Sequence, residues 1–291
     1  MFEIYFLGTG GGVPSKRRGL PAYLFKYMNL SILLDCGEGT QERISKYGLG
    51  VSSIDIIGIS HLHADHVLGL PGLIQTMSML GRTKPLYIMG PKKLGEFIEV
   101  INESTKFTPN FKIIFTEEFR NENIEIKKFP TCHVIESYGF LIIEKDRYKV
   151  DAEKLRSEGI KDWRIIRSIK EGKEVKIGER VLRPDDYLIK VNGIKIGYTG
   201  DTRYCEKVIK EVKGVDLLLH DSTFSSSVKD AEEYGHSTSE HAAEVALRAE
   251  VKRLGLIHIS ARYTDTYELL AEARRIFNKV FIPEDFSRYF L

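Results

Sequence analysis

The six residues from His61 to His66 read His-Leu-His-Ala-Asp-His and hold three of the eight histidines in the chain. They follow the apolar run Ile54–Ser60. In extended or turn backbone, side chains two positions apart project to the same side, so His61 and His63 can chelate one metal ion. Asp65 and His66 would serve a neighbouring ion. Imidazole and carboxylate groups suit zinc, so this spacing predicts a metal centre rather than an ordinary polar loop.

Three further candidate ligands stand at or near the ends of short apolar runs. They are His133, Asp201 in "GYTGD" and His258 in "LGLIHIS". Open α/β sheets place their sites at the carboxyl ends of their strands. A single histidine or aspartate at a strand end is more often structural. Together, however, these three residues would complete two coordination spheres with Asp201 shared between them.

The elements that would position these ligands alternate between strands and helices. Short apolar runs predict strands over Phe2–Gly8, Ala22–Tyr27, Ser31–Asp35, Ile54–Ser60, Leu86–Met89, Lys112–Phe115, Ile124–Phe129 and Tyr138–Glu144. Helices are predicted over Thr40–Lys46, Leu70–Leu80, Lys92–Glu103, Glu240–Ala249 and Thr266–Phe277. The dipeptide Asn192-Gly193 predicts a hairpin. This pattern indicates an α/β fold with two mixed sheets and outer helices.

The composition excludes some classes of protein. With 291 residues, 42% of them hydrophobic, the chain can bury a sizeable core. No apolar run is long enough to span a membrane, and the N-terminus lacks the basic region and cleavage site of a signal peptide. Cys36, Cys132 and Cys205 predict neither a zinc ribbon nor a disulfide framework. A reducing, cytoplasmic location is the simplest interpretation. Abundant Lys, Glu and Arg with only two Gln residues are typical of hyperthermophiles.

The positive charge of the chain is local. The net charge is only +2, but Lys145 to Arg183 holds thirteen Lys and Arg residues against eight Asp and Glu residues. This segment is weakly periodic, and we expect an insertion that packs little core. Lys16, Arg17 and Arg18 form a second basic spot. Such runs are usually solvated surface, and contact with a nucleic acid is the alternative.

Seven motifs, in this order, resemble the ribonuclease Z family of tRNA 3′-processing endoribonucleases within the metallo-β-lactamase superfamily. They are "FLGTGGGVPSKRRG", "LLDCGEGTQ", "SHLHADHVLGLPGL", "YTGDTR", "HDSTF", "GHST" and "HISARY". The resemblance runs nearly end to end. It implies an αββα sandwich with two zinc ions at one edge. The segment 145–183 would be an inserted flexible arm, the exosite that grips tRNA.

The resemblance also implies a distribution of the ligands. One zinc would bind His61, His63 and His133. The second would bind Asp65, His66 and His258, and Asp201 would bridge the two. Two such cations generate hydroxide near neutral pH and stabilise the attacking and leaving oxygens of an in-line displacement. Asp65 would orient this nucleophile or accept its proton.

The leaving 3′-oxygen requires a proton, and His236 is the best candidate donor because no metal position uses it. The family pattern His-Glu-Ala-Thr is replaced here by His-Asp-Ser-Thr, residues 220–223. The carboxylate expected to orient His236 is therefore Asp221, which is one methylene shorter and has a questionable reach. His220 is at least as consistent with a packing role as with a catalytic one, and His241 is expected in the surroundings of the site or on the surface.

Two segments favour RNA as the substrate. "PSKRRG" resembles the family loop that lies near the tRNA 3′ end, with Gly19 in place of an asparagine. Lys16, Arg17 and Arg18 retain its cations. Arg262, just beyond His258, could meet a phosphate or form a core salt bridge. The basic arm lacks the Gly-Pro pair of many bacterial members but suits recognition of RNA shape.

We therefore expect a zinc-dependent endoribonuclease that cuts precursor tRNA after the discriminator nucleotide and leaves a tRNA 3′-hydroxyl. Family members of this length are homodimers, so the resemblance implies a homodimer. The closest alternative is a metallo-β-lactamase-type hydrolase of a small phosphodiester or ester, for which the arm would be dispensable. An RNA-binding protein with a degenerate metal site is disfavoured because every ligand position is filled.

Overall fold

The computed structural model describes all residues from Met1 to Leu291. The chain forms two compact units. The core unit comprises Met1–Asn121, Glu125–Ile142 and Lys195–Leu291, and the inserted unit comprises Glu122–Ile124 and Ile143–Ile194. None of the helices combines the length and the apolar character that a membrane span requires.

The strands, in chain order, are β1 (Phe2–Gly8), β2 (Gly10–Gly11), β3 (Ala22–Tyr27), β4 (Leu30–Leu34), β5 (Ile56–Gly58), β6 (Leu86–Met89), β7 (Ile113–Phe115), β8 (Glu118–Arg120), β9 (Ile124–Pro130), β10 (Tyr138–Glu144), β11 (Arg147–Val150), β12 (Val175–Ile177), β13 (Arg180–Leu182), β14 (Leu188–Val191), β15 (Lys195–Tyr198), β16 (Leu217–Asp221), β17 (Leu254–Ile257), β18 (Ile259–Ser260), β19 (Val280–Phe281) and β20 (Arg288–Phe290). The helices are α1 (Thr40–Lys46), α2 (Ala64–Val67), α3 (Gly69–Met79), α4 (Leu94–Thr105), α5 (Ala152–Ser157), α6 (Trp163–Lys170), α7 (Pro184–Tyr187), α8 (Glu206–Glu211), α9 (Ser239–Arg248) and α10 (Tyr267–Ile276), with a 3₁₀ turn at Val51–Ser53.

Two seven-stranded sheets form the core unit. The first has the order β20-β1-β3-β4-β5-β6-β7 and the second has the order β19-β17-β16-β15-β10-β9-β8. In the first sheet β4, β5, β6 and β7 run parallel. In the second sheet β15, β16, β17 and β19 run parallel. Parallel strands bring their carboxyl ends to one edge, and the predicted ligands follow several of these ends.

The two sheets pack face to face, and helices cover their outer faces. Tyr23 of the first sheet meets Tyr198 of the second with ring centroids 5.2 Å apart. Helices α1, α3 and α4 contribute buried residues to one apolar cluster with the first sheet. Helix α9 contacts β16 and β17, and α10 contacts β19. The core unit is therefore layered as helix, sheet, sheet and helix, which confirms the predicted α/β class.

The inserted unit has a hydrophobic core of its own. Strands β11 and β14 pair antiparallel, and β12 pairs with β13. The core residues are Leu155, Ile160, Ile169, Leu182 and Tyr187. The expectation that this segment packs little core is therefore wrong. Its apolar residues are spread over short elements, and no single element shows a long periodic pattern.

The hairpin predicted at Asn192-Gly193 is not present. Strand β14 pairs with β11, whereas β15 pairs with β16 in a different sheet. The backbone N–H of Gly193 donates to Asp146 Oδ1 over 2.9 Å. A Cβ atom at Gly193 would lie 1.9 Å from the carbonyl oxygen of Glu144. The glycine is required for this close approach, at the point where the chain leaves the inserted unit.

Two of the three cysteines form a disulfide. Cys132 and Cys205 are bonded across a sequence separation of 73 residues, while Cys36 is buried as a free thiol. The prediction of no disulfide is thus wrong. The whole inserted segment lies between the two partners in sequence, so only the folded sheet brings them together.

Candidate metal centre

The His61–His66 segment bridges the end of β5 and the short helix α2. His61 follows β5, and His63 immediately precedes α2, which carries Asp65 and His66. The side chains of His61 and His66 are fully buried. The sequence pattern predicted a turn here, and the short helix presents Asp65 and His66 on the same side of the chain as the two preceding histidines.

One group of candidate ligands joins this segment to His133 and Asp201. His63 Nδ1 lies 3.0 Å from His61 Nε2 and 3.1 Å from His133 Nε2. Asp201 Oδ2 lies 3.4 Å from His61 Nε2. The potential ligand atoms of all four residues lie within 4.8 Å of one another, and we call these residues the first ligand group.

The second ligand group comprises Asp65, His66 and His258. His66 Nε2 is 3.2 Å from His258 Nε2, and His258 Nε2 is 3.3 Å from Asp65 Oδ2. The other oxygen of Asp201, Oδ1, lies 3.3 Å from both His66 Nε2 and His258 Nε2. Asp201 therefore presents one oxygen to each group. The structure thus brings all seven predicted ligands to one place.

The donor atoms fit two divalent cations. Asp201 Oδ1 is buried and has no hydrogen-bond partner, which is costly for a carboxylate oxygen unless a cation faces it. The ring nitrogens His61 Nε2 and His133 Nε2 also face His63 Nδ1, at 3.0 Å and 3.1 Å, rather than a backbone or hydroxyl hydrogen-bond donor. A nitrogen and carboxylate ligand set of this kind suits zinc.

Hydrogen bonds at the far side of each ring determine which imidazole nitrogen is free. His133 Nδ1 lies 2.8 Å from the carbonyl oxygen of Gly235 and must donate to it. His66 Nδ1 lies 2.7 Å from Asp35 Oδ2. Because Nδ1 of each ring is used in this contact, Nε2 is the nitrogen that faces the site and would coordinate a metal. Such orienting bonds are typical of metal-binding histidines.

The charge states agree with a site for cations. Burial lowers the pKa values of His61, His63 and His133, which keeps these rings neutral and able to coordinate. Burial opposes ionisation of Asp201, but His258 and His66 hold its pKa well below the usual range. The carboxylate is therefore an anion at neutral pH. Burial likewise opposes the charge on His66, but the Asp201 and Asp35 carboxylates raise its pKa well above the usual value.

Asp35 is a supporting residue that the sequence did not identify as functional. It follows β4, is fully buried, and accepts hydrogen bonds from Ser60 N over 2.7 Å and Ser60 Oγ over 2.8 Å, as well as from the Tyr198 hydroxyl. It therefore joins His66 to both sheets. Its position in "LLDCG" is the same signal that identified Asp201, a carboxylate at the end of an apolar strand.

His236 and Asp221 lie beside the ligand groups. His236 Nδ1 is 2.9 Å from Asp221 Oδ2, so the shorter side chain does reach. Asp221 is buried and also accepts from the backbone N–H groups of Thr202 and Thr223, each over 3.0 Å. Burial opposes the charge on His236, but the Asp221 carboxylate raises its pKa to about 9. At neutral pH His236 is therefore a protonated imidazole that can donate.

The glycine-rich segment after β1 contacts the second ligand group. The N–H of Gly12 donates to Asp65 Oδ2 over 2.8 Å. A Cβ atom at Gly11 would lie 2.3 Å from the His258 ring. Gly11 is therefore needed for the backbone to approach this closely, a requirement that the sequence alone did not reveal.

The predicted RNA-contacting cations occupy different environments. Lys16, Arg17 and Arg262 are exposed, and the Arg262 guanidinium lies 4.7 Å from the centre of the Phe224 ring. Arg18 is buried and donates to Thr9 Oγ1 over 2.5 Å and to the Pro283 carbonyl over 2.7 Å. The prediction that Arg18 contacts RNA therefore conflicts with its placement, because its guanidinium is used inside the protein.

The remaining two histidines lie outside the ligand groups. His220 is fully buried, and its Nδ1 lies 2.7 Å from the Asp221 carbonyl oxygen. His241 is partly exposed on α9, and its Nδ1 is 3.9 Å from Glu232. These placements agree with the structural interpretation of both residues.

A cavity of about 500 Å³ opens onto the candidate centre. Its lining includes Asp65, Asp201, His236, His258 and Arg262. A substrate in this cavity would meet ligand residues, the protonated imidazole and one exposed guanidinium. This combination of an anion-binding group, a proton donor and two candidate metal sites is suited to hydrolysis of a phosphodiester.

Comparison with known proteins places this arrangement in a family. Residues 2–164 match the family model described as anti-Pycsar protein Apyc1, and residues 184–259 match the beta-lactamase superfamily domain. Ribonuclease Z of Metallosphaera sedula is 59% identical over 287 residues, which cover 99% of this chain and 98% of that protein.

Two solved structures are similar over nearly the whole chain. The short form of human tRNase Z superposes with a TM-score of 0.71 at 28% identity, covering 99% of this chain and 98% of that one. The metallo-beta-lactamase fold protein YhfI of Bacillus subtilis superposes with a TM-score of 0.72 at 20% identity, with coverage of 99% and 98%. This chain therefore has the metallo-β-lactamase fold and belongs to the ribonuclease Z family.

Proposed function

We propose that the protein is a zinc-dependent endoribonuclease that removes the 3′ trailer of precursor tRNA after the discriminator nucleotide. The observation that carries this proposal is the convergence of seven ligand side chains, with Asp201 presenting one oxygen to each group. The substrate is inferred from the full-length similarity to ribonuclease Z and to human tRNase Z.

Two zinc ions per subunit are the proposed cofactors. The first would be held by His61, His63 and His133, the second by Asp65, His66 and His258, with Asp201 between them. When bound, such ions lower the pKa of a water nucleophile and stabilise both the attacking and the leaving oxygen.

Asp65 is the proposed base. The N–H of Gly12 fixes its Oδ2. Burial would raise the pKa of Asp65, but the hydrogen bond from His258 and the nearby histidine charges hold it below the usual range. The carboxylate is therefore ionised and can orient an attacking water or accept its proton.

His236 is the proposed proton donor to the leaving 3′-oxygen of the tRNA. It lines the cavity and is held by Asp221, which is itself fixed by three donors from residues 202 and 223. The carboxylate keeps the imidazole protonated and fixes its orientation. Protonation of the leaving oxygen would then yield the tRNA 3′-hydroxyl directly.

Binding of tRNA is proposed to use cations outside the ligand groups. Lys16, Arg17 and Arg262 would contact phosphates near the cleaved bond. The inserted unit would act as the arm that grips the tRNA by shape. Helix α6 displays Arg164, Arg167, Lys170 and the 64% exposed Trp163, while Ile169 faces the small core. Exposed cations and an aromatic side chain suit contact with an RNA backbone.

The oligomeric state and the cellular location are proposed from the resemblance to the ribonuclease Z family. The protein would act as a homodimer in the cytoplasm. The Cys132–Cys205 disulfide is compatible with this location, because intracellular proteins of hyperthermophiles often contain disulfides and the composition resembles that of such proteins.

The direct test is to map the cleavage of a precursor tRNA that carries a 3′ trailer. We expect one cut after the discriminator nucleotide, a ligatable 3′-hydroxyl on the tRNA and loss of activity when the metals are removed. A protein that hydrolyses bis(p-nitrophenyl) phosphate but leaves the precursor intact would instead support the small-phosphodiester alternative.

A further inference from the structure

A disulfide joins the two loops that contribute His133 and Asp201 to the first ligand group. Cys132 immediately precedes His133, and Cys205 lies four residues after Asp201. The same loops are also joined by backbone groups. The N–H of Arg203 donates to the Cys132 carbonyl over 2.8 Å, and the N–H of Cys132 lies 3.2 Å from Thr202 Oγ1. The disulfide therefore links the two loops covalently, next to two candidate metal ligands.

His133 lies in a loop, whereas His61 follows a strand of the first sheet. It stands between β9 and β10, and the following residues Val134 and Ile135 are 51% and 41% exposed. Its ring has one orienting bond, to the Gly235 carbonyl. His61, by contrast, is fully buried directly after a central strand of the first sheet.

The second ligand group depends on the two joined loops only through Asp201, whose Oδ1 lies 3.3 Å from both His66 Nε2 and His258 Nε2. His66 is held by the buried carboxylate of Asp35, and His258 Nδ1 lies 2.7 Å from Thr223 Oγ1. Asp65 accepts from Gly12. Apart from the shared Asp201, none of these contacts involves the two loops that the disulfide joins.

We propose that Cys132 and Cys205 are positioning residues whose disulfide fixes His133 relative to Asp201 and so determines how tightly the first of the two metals is held. The inference rests on the proposed two-metal centre and not on the identity of the RNA substrate. It also predicts that the redox state of the pair changes the two metal sites unequally.

Reduction of the pair is chemically balanced with a trialkylphosphine. The phosphine attacks one sulfur and breaks the S–S bond, and water then supplies the oxygen of the phosphine oxide. The two electrons of phosphorus and two protons from water yield two thiols. Both cysteines are partly exposed, so the reagent can reach them, whereas Cys36 is fully buried.

The test compares the zinc-loaded protein with Cys132→Ser, Cys205→Ser and the double variant. Zinc is counted by atomic emission, and its release into an excess of chelator is followed over time. We expect two zinc ions in the parent protein and, in each variant, one equivalent released about tenfold faster, the lower end of what loss of an orienting partner costs in metal affinity. The second equivalent should be accelerated by a smaller factor, because only Asp201 connects its ligand group to the joined loops.

Phosphine treatment provides an independent test that needs no substitution. It should accelerate release of one zinc from the parent protein and change nothing in the double variant, which has no disulfide to reduce. Thiol titration in denaturant should find one thiol in the untreated parent protein and three after reduction.

Three outcomes would overturn the inference. The first is three titratable thiols in the untreated protein, and the second is zinc release at the parent rate in the variants. The third is equally faster release of both zinc ions, accompanied by the loss of thermal stability that a core control such as Ile98→Ala shows. Failure of the proposed function would differ, because the parent protein itself would then bind fewer than two zinc ions or leave precursor tRNA uncut.

Discussion

The candidate metal centre and the inserted unit differ in how exposed their polar side chains are. In the centre, most ligands are buried, and the second polar atom of His66, His133 and His258 is held by another group. In the inserted unit, five residues form the small core, and the cations of α6 are exposed. Chemistry requires atoms at fixed positions, whereas binding of a polyanion requires displayed charge. Changes in the centre should therefore alter turnover, and changes in the inserted unit should alter affinity.

The largest effect is expected for Asp65→Ala. Removal of the proposed base should lower cleavage of precursor tRNA by about 10³-fold or more, since general bases contribute about 10²–10⁴-fold and Asp65 is also a candidate ligand. Binding measured by gel shift should remain within a few-fold of the parent. Loss of binding with retained turnover would contradict the assignment, and zinc analysis of Asp65→Asn would separate its two roles.

A smaller loss is expected for His236→Ala. Without the proton donor, kcat should fall by about 10²-fold while the zinc content stays at the parent value. His241→Ala is the matched control, because this partly exposed histidine lies outside the ligand groups, and it should leave kcat unchanged. An equal loss in both variants would argue against a specific role for His236.

The hydrogen bond between His236 and Asp221 gives this assignment a pH signature. With a pKa of about 9, His236 should lose its proton, and kcat should fall, as the pH rises through that value. Asp221→Asn removes the carboxylate that raises the pKa, so the alkaline decline should move to lower pH. A decline at the same pH in both proteins would assign it to another group.

Removal of the inserted unit should affect the RNA substrate selectively. Residues 147–191 can be replaced by a short Gly-Ser linker, because Arg147 and Val191 are paired neighbours on β11 and β14. We expect kcat/KM for precursor tRNA to fall about 10²-fold through KM, and hydrolysis of bis(p-nitrophenyl) phosphate to persist. Unchanged processing of precursor tRNA would remove the case for an arm and favour the small-phosphodiester alternative.

The smallest effects should distinguish the two neighbouring arginines. Arg18→Ala removes a buried guanidinium that holds Thr9 and the Pro283 carbonyl, so it should destabilise the protein by about 1–3 kcal/mol and lower the Tm. Arg17→Ala removes an exposed hydrogen bond to the Thr264 carbonyl, so it should lower the Tm less than Arg18→Ala and weaken tRNA binding at low salt. The reverse pattern, measured by calorimetry and gel shift, would contradict the placement of Arg18.

The sequence predicted most of the core unit because its elements are local patterns. The prediction of Phe2–Gly8, Ala22–Tyr27, Leu86–Met89 and Thr40–Lys46 matches the structure residue for residue. The seven ligands could be predicted because each lies in a polar cluster or near the end of an apolar strand. Asp201 and His258 follow β15 and β17 of the second sheet, and the parallel arrangement of these strands brings both residues to one edge.

The features that sequence did not predict depend on partners far along the chain. Strand β14 pairs with β11, about forty residues earlier, and this pairing overrode the local hairpin signal of Asn192-Gly193. The disulfide required the two sheet-end loops to meet. Arg18 looked like an exposed cation because only the folded structure shows Thr9 and Pro283 beside it.

The proposed function requires that two metals held by these seven residues cleave precursor tRNA at one position. The most direct measurement is to titrate zinc into metal-free protein while mapping the cleavage of a precursor with a 3′ trailer. We predict little activity with one equivalent per chain, full activity with two, and a single cut after the discriminator nucleotide. Full activity with one equivalent, or a cut elsewhere, would contradict the account.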